Sequence, residues 1–226
     1  MTEYYIETDG KVYLVEEAGQ LRFPRSREEF PFKIQPKGKM VVGSREVVFS
    51  EPELSNHPSK WHNKEDVPLL DDIDPVVRKA VDLSLPRIVV EAVIRDGKSN
   101  RVLLVKASRG YNKDCWTLPG GFLVYGEPPE EAVRREVKEE IGVEPDLSGL
   151  VNVFSGIGAS NSHQWVIFYY LAEVAGNEEQ LKPSHEVKEM KWFPKEEVVD
   201  LLHSPVMARG YEEVLSKIDR EDQGTD

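Results

Sequence analysis

The run Gly121–Val143, GFLVYGEPPEEAVRREVKEEIGV, constrains this chain more than any other stretch. Glu136, Glu139 and Glu140 stand at i, i+3 and i+4, so a helix here sets three carboxylates on one face. Like charges at that spacing repel, at a cost of about 0.2–0.5 kcal/mol per pair. A divalent cation relieves the repulsion, and Mg²⁺ favours a few carboxylates taken together with phosphate oxygens. The pattern predicts a metal site for phosphate chemistry.

The flanks agree with a helix held in place by turns. Pro119-Gly120-Gly121 follows the strand-like CWTL, and glycines let a backbone group approach a bound ion closely. Gly126 makes a second turn, and Pro128 suits a first helical position, where no N–H is needed. Glu127, Glu130 and Glu131 fall in the first turn, where the helix dipole favours negative charge. Val133, Val137 and Ile141 form an apolar stripe beside the acids, and Gly142 supplies a C-terminal cap. Glu-rich helices are commonly solvated faces, and a fragment EExxG alone would mean little. The whole spacing carries more: Gly121, five residues, Glu127, seven residues, then Arg135-Glu136-Val137-Lys138-Glu139-Glu140-Ile141-Gly142-Val143.

That spacing fills every fixed position of the Nudix box, G-x5-E-x7-R-E-U-x-E-E-x-G-U with U apolar, and the chain resembles a Nudix hydrolase. The resemblance implies an α/β/α sandwich around a mixed sheet over about residues 86–220. It implies hydrolysis of a phosphoric anhydride with Mg²⁺ or Mn²⁺ held by Glu136, Glu139, Glu140 and the Gly120 carbonyl. It also implies that Arg135 orients the box glutamates and that Glu127 supports them, with Gly121 at the head of the box. The base that activates water varies in the family; Glu186, in SHEVKEMKWF, stands where many relatives carry an acid, and His185 is its rival. The branch suggested is that of ADP-ribose and nucleotide-sugar pyrophosphatases, in which a β-rich extension supports a homodimer. Oxidised nucleoside triphosphates are the next substrate class.

Substrate contacts are read from the residues themselves. Lys106, Arg109 and Lys113 precede the PGG turn and are placed to meet phosphates, or to stand as solvated loop bases. Tyr111, Tyr125 and Trp165 offer faces for stacking on a base, although strand aromatics are more often core. Neither an SQPWPFP-type array nor a zinc ribbon is found. Gly156-Ile157-Gly158 begins like a dinucleotide fingerprint, but the third glycine and the following helix are missing. Two other classes compete: a noncatalytic Nudix-like ligand sensor, for which the intact box is a poor fit, and a diphosphate isomerase, for which Cys115 would be the only cysteine at hand.

Composition bounds the partners. A net charge of −12 disfavours nonspecific binding to nucleic acid or to an anionic membrane. No apolar run reaches the ~18 residues of a membrane span, and no signal peptide is evident in MTEYYIETDG. The single cysteine excludes an internal disulfide and suits a reducing compartment, so a cytoplasmic protein is expected.

Along the chain, residues 1–50 read as β-rich, with KVYLVEE, QLRF, GKMVV and REVVF as short strands too few for an independent core. Residues 51–85 read as a linker over 51–68, with His57 and His62 as exposed histidines, and a helix over 71–85 capped by Asp74 with Pro75 at its first position. RIVVEAVI and RVLLVKA form a hairpin across DGKSN; LVNVFSGI, QWVIFYYLAEV and VKEMKWF are further strands. KEEVVDLLH and MARGYEEVLSKI close the domain as helices, and residues 221–226 form a frayed tail.

Overall fold

The computed structural model describes residues 1–56, 58–96, 100–110, 112–158, 163–174 and 181–223, with side chains described as far as residue 220. His57, Tyr111, the centre of the DGKSN turn and Ala159–Asn161 therefore lie outside the described residues. The chain divides into two compact units, Met1–Leu85 and Pro86–Asp226.

In the first unit the strands β1 (Thr2–Thr8), β2 (Lys11–Tyr13), β5 (Lys33–Val42), β6 (Arg45–Glu53) and β7 (His62–Asn63) form a sheet in the order β5-β6-β1-β2-β7. A separate two-stranded sheet pairs β3 (Val15–Glu17) with β4 (Gln20–Arg22). The strand at the centre, β1, escaped the sequence reading because TEYYIET alternates only weakly. Helix α1 (Pro75–Ser84) opens where Asp74 accepts a hydrogen bond from the Val76 N–H at 2.9 Å. The end of the expected linker and the helix after it are part of the unit: Val67, Ile73, Val77, Ala80 and Val81 share a core with Tyr5, Val12, Phe23 and Val47. The helix thus supplies the apolar face that the strands of residues 1–50 lack alone.

The second unit is a mixed sheet between helices. Strands β8 (Arg87–Asp96), β9 (Arg101–Ala107), β10 (Trp116–Thr117), β12 (Pro145–Ile157) and β13 (Gln164–Val174) run in the order β10-β9-β8-β13-β12. The short β11 (Gly120–Phe122) pairs with β8, and β14 (Val187–Pro194) pairs with β9. Among the described strands of this unit, only β13 and β8 pair in parallel. Successive side chains of β8 point to opposite faces. Val90, Ala92 and Ile94 pack with Val133, Val137 and Ile141 of α2 (Pro129–Ile141), while Val89 and Val93 pack with Val206, Met207, Tyr211 and Val214 of α4 (Pro205–Gln223).

The hairpin expected between β8 and β9 exists only at its tip. Their registered pairs are Arg95↔Val102 and Asp96↔Arg101, after which the strands part and β11 takes β8 instead, with Gly120 opposite Glu91. The sheet opens at that fork. Helix α3 (Val198–Leu201) is shorter than the sequence suggests, and α4 runs on to Gln223, so the tail begins in helix.

Candidate active site

Helix α2 starts one residue later than its proline spacing suggests, with Pro128 as the cap and Glu130 and Glu131 in the first turn. Glu127 lies before the helix and is used differently. Arg135 Nε and Nη2 donate to its two carboxylate oxygens at 2.8 and 3.0 Å, and the Val124 N–H donates to it at 3.1 Å. Arg135 Nη1 also donates to Glu136 Oε1 at 2.7 Å and to Glu139 Oε2 at 3.2 Å. One guanidinium therefore spans three of the acids, which its planar fork suits. Gly142 ends the helix with φ 79°, and its N–H reaches the Lys138 carbonyl.

The three acids of the helix do not share one environment. Glu136 and Glu140 line a cavity of about 400 Å³. The Glu139 side chain is 58 % exposed and stands on the flank beside Arg135 and Lys138, outside that cavity. Glu140 is half-buried against the turn after β10, where its Oε2 accepts the Gly120 N–H at 3.0 Å. Burial pushes its carboxyl up to about 8; the Gly120 N–H opposes this, and Glu136, Glu186 and Glu139 add to it. Burial also raises Glu136, against the pull of Arg135.

Both glycines of the turn are set by close approach. At Gly120, with φ +156°, a Cβ would stand 2.1 Å from the Val90 carbonyl oxygen and 3.0 Å from Glu91 Oε2. At Gly121 it would stand 2.6 Å from the Glu136 carboxyl carbon. A side chain at Gly120 would push on the β8 backbone, and one at Gly121 would displace the Glu136 carboxylate.

Glu186 lies on the cavity wall, in the loop before β14. Its carbonyl accepts the Ser108 N–H at 2.8 Å, and the Ser184 N–H donates to the Glu140 carbonyl at 3.0 Å. The loop is thereby tied to the ends of both β9 and α2. The Glu186 carboxylate pairs with Arg109, which also lines the cavity. His185 Nε2 lies 3.7 Å from Glu186, with its side chain 83 % exposed. Of the other sequence candidates, Trp165 lines the cavity, its ring 5.9 Å from that of Phe122. Lys106 lies over the Trp116 ring at 5.6 Å. Lys113 and Tyr125 stand apart from this group. Lys113 is exposed in the connection between β9 and β10, and Tyr125 projects fully into solvent from the turn made by Gly126. Neither lines the cavity.

Glu91 is the site residue that the sequence reading passed over. It sits in β8 between Val90 and Ala92, is 5 % exposed, and lines the same cavity. Its pKa is raised well above the ordinary carboxylate range by burial first, then by Glu140 and Glu136. The signal was available as a lone charge inside the apolar run RIVVEAVI. Among the described residues no group of three His, Cys, Asp or Glu side chains is already gathered to grip a metal ion. Glu136 and Glu139 are turned toward Arg135 instead. No described helix is long and apolar enough to cross a membrane.

The fold and these residues have relatives. A family model, NUDIX domain, matches residues 85–214. Over 130 residues the chain is 34 % identical to an ADP-ribose pyrophosphatase of Methanocaldococcus jannaschii, covering 58 % of this chain and 71 % of that protein. It is 32 % identical over 123 residues to diphosphoinositol polyphosphate phosphohydrolase 3-alpha of Mus musculus, covering 53 % and 72 %. It is 33 % identical to the NAD-capped RNA hydrolase NudC of Vibrio atlanticus, covering 56 % of this chain and 45 % of that one. The crystal structure of the MutT protein from Methanosarcina mazei Go1 superposes with a TM-score of 0.51 at 25 % identity, covering 62 % of this chain and 96 % of its own. With the box intact from β11 through α2 and the mixed sheet around it, the chain belongs to the NUDIX family and is a Nudix hydrolase.

Proposed function

We propose that this enzyme cleaves the pyrophosphate bond of a nucleoside diphosphate joined to another moiety, with ADP-ribose or a nucleotide sugar as the preferred class and Mg²⁺ or Mn²⁺ as cofactor. The observation that carries the reading is the meeting of Glu136, Glu140, Glu186 and Arg109 on one cavity that also has an aromatic wall. Its volume, about 400 Å³, lies in the range of ordinary small-molecule sites. The similarity to an archaeal ADP-ribose pyrophosphatase supports the substrate class.

The donors suit a hard cation. They are oxygen throughout, and Glu136 and Glu140 repel each other in a buried setting where no lysine or arginine pairs with Glu140 among the described residues. Glu136, Glu140, the Gly120 carbonyl and, after rotation, Glu139 would hold the ion. Held there, such an ion would supply positive charge to the substrate's phosphates and would acidify a water.

The chain's own groups divide the remaining work. Arg135 keeps the acidic side chains in a fixed arrangement. Phe122 and Trp165 present apolar surface where a base would lie and exclude water from it. Arg109 is the cation available to a substrate phosphate, and on leaving Glu186 it frees that carboxylate to accept a proton from the attacking water. This hand-over gives Glu186 its role as base.

A panel of ADP-ribose, nucleotide sugars, NADH, diadenosine polyphosphates and oxidised nucleoside triphosphates, assayed with Mg²⁺ and with Mn²⁺, tests the reading by chromatography of the products. The proposal expects the highest kcat/KM on ADP-ribose or a nucleotide sugar, with a nucleoside monophosphate released. Preference for a triphosphate, with pyrophosphate released, would favour the alternative class.

A further inference from the structure

We propose that Glu91 is a further oxygen ligand of the cation in this site, reaching it from the strand opposite the box helix; the inference rests on the metal-dependent reading above. Carboxylates from two elements converge on one dipeptide. Glu140 Oε2 takes the Gly120 N–H, Glu136 packs against the Cα of Gly121, and Glu91 Oε2 lies where a side chain on Gly120 would begin. The register of β11 on β8 fixes this arrangement, because Gly120 is paired with Glu91.

Glu91 is 5 % exposed, and among the described residues its Oε2 has no hydrogen-bond partner. A carboxylate kept for structure is expected to take donors from the backbone or from a lysine or arginine, because an unpaired buried charge is strongly unfavourable. Here the acidic groups that face it are Glu140 and Glu136, the Tyr169 hydroxyl of the neighbouring β13 donates to the Met207 carbonyl, and the backbone donor at hand, Gly120 N–H, is spent on Glu140. Arg135 and Arg109, the cations of the site, are engaged with Glu127, Glu136 and Glu139 and with Glu186 respectively. An orphaned oxygen directed into an acidic cavity matches what a hard divalent ion requires. Position 91 lies well outside the box, and the fork of β8 from β9 brings it to the box.

Mn²⁺ titration followed by electron paramagnetic resonance, without nucleotide, tests the assignment on the full chain, alongside the thermal-midpoint shift produced by Mg²⁺. Wild type, Glu91→Gln and Glu140→Gln are compared. The proposal expects Glu91→Gln to bind Mn²⁺ at least about 100-fold more weakly than wild type, more than the loss of a group behind a ligand would cost, with a smaller Mg²⁺ shift. Wild-type affinity in Glu91→Gln, with affinity lost in Glu140→Gln, would overturn the Glu91 assignment and leave the metal reading intact. No binding by wild type would overturn both. Should Glu91→Gln fail to fold by circular dichroism, Glu91→Asp replaces it; the shorter carboxylate is expected to weaken binding, and unchanged affinity would count against the proposal.

Discussion

Arg135 is the residue that decides how the acids of α2 are presented. Its contacts with Glu127, Glu136 and Glu139 hold like charges together without touching the cavity, which it does not line. Removing it should let those side chains scatter. Arg135→Met is therefore expected to lower kcat/KM by about 10–100-fold, the usual loss when a partner behind a metal ligand is removed. Arg135→Lys should recover little, because an ammonium cannot span a bidentate partner and two further oxygens. Steady-state kinetics with circular dichroism checks both; wild-type turnover in Arg135→Met would show that the clamp is dispensable. At this scale the box was legible because its residues recur at fixed helical spacing. Glu91 was not, because its meaning depends on a strand pairing that brings it to Gly120 from a distant part of the chain. Whether Tyr125 and Lys113 would line the cavity was not legible either, since adjacency in sequence to a turn does not say which way the turn faces; neither lines it.

At the scale of elements, the site is a consequence of how α2 is anchored and how the sheet forks. Ala132, Val133, Val137 and Ile141 are fully buried against β8, β9 and β13, and that packing sets the height of Glu136 and Glu140 over the turn at Gly120. Ile141→Ala removes a side chain with no exposure and should cost about 2–5 kcal/mol. Denaturant unfolding measures it; a loss well below that range would mean that the helix end collapses readily into the space. The amphipathic stripe and the Gly142 cap made α2 readable from sequence. The fork did not show, because RIVVEAVI and RVLLVKA look like an ordinary hairpin, and only the competition of β11 for β8 shows that they part. β1 was missed because its neighbours, not its own pattern, make it a central strand.

At the scale of the whole molecule, each unit has its own means of stability, and the first relies on charge as well as on its core. Arg22 donates to Glu29 at 2.8 and 3.0 Å and to Glu17 at 2.8 Å, holding the Glu29 carboxyl down to about 2 from its ordinary 4.5. A carboxyl with a lowered folded pKa stabilises fully above its unfolded value, and the contribution is lost as pH falls through the folded one. The first unit should therefore lose stability as pH drops from about 4.5 towards 2. Arg22→Met should flatten that dependence, and thermal midpoints measured against pH would show it; an unchanged slope in the variant would place the acid sensitivity elsewhere. The residue boundary between the units follows from cores rather than composition: polar, proline-bearing residues 51–68 suggest a linker, yet Val67 and Ile73 are buried with α1 among the N-terminal strands.

The measurement that bears most directly on the central claim is turnover of ADP-ribose with Mg²⁺ by Glu140→Gln, a change that keeps the shape of the side chain and the acceptor for the Gly120 N–H while removing the charge. Losing a group behind a metal ligand already costs about 10–100-fold, so losing a ligand should cost at least about 100-fold in kcat/KM, with the fold intact by circular dichroism. A folded Glu140→Gln that turns over at the wild-type rate would contradict the account.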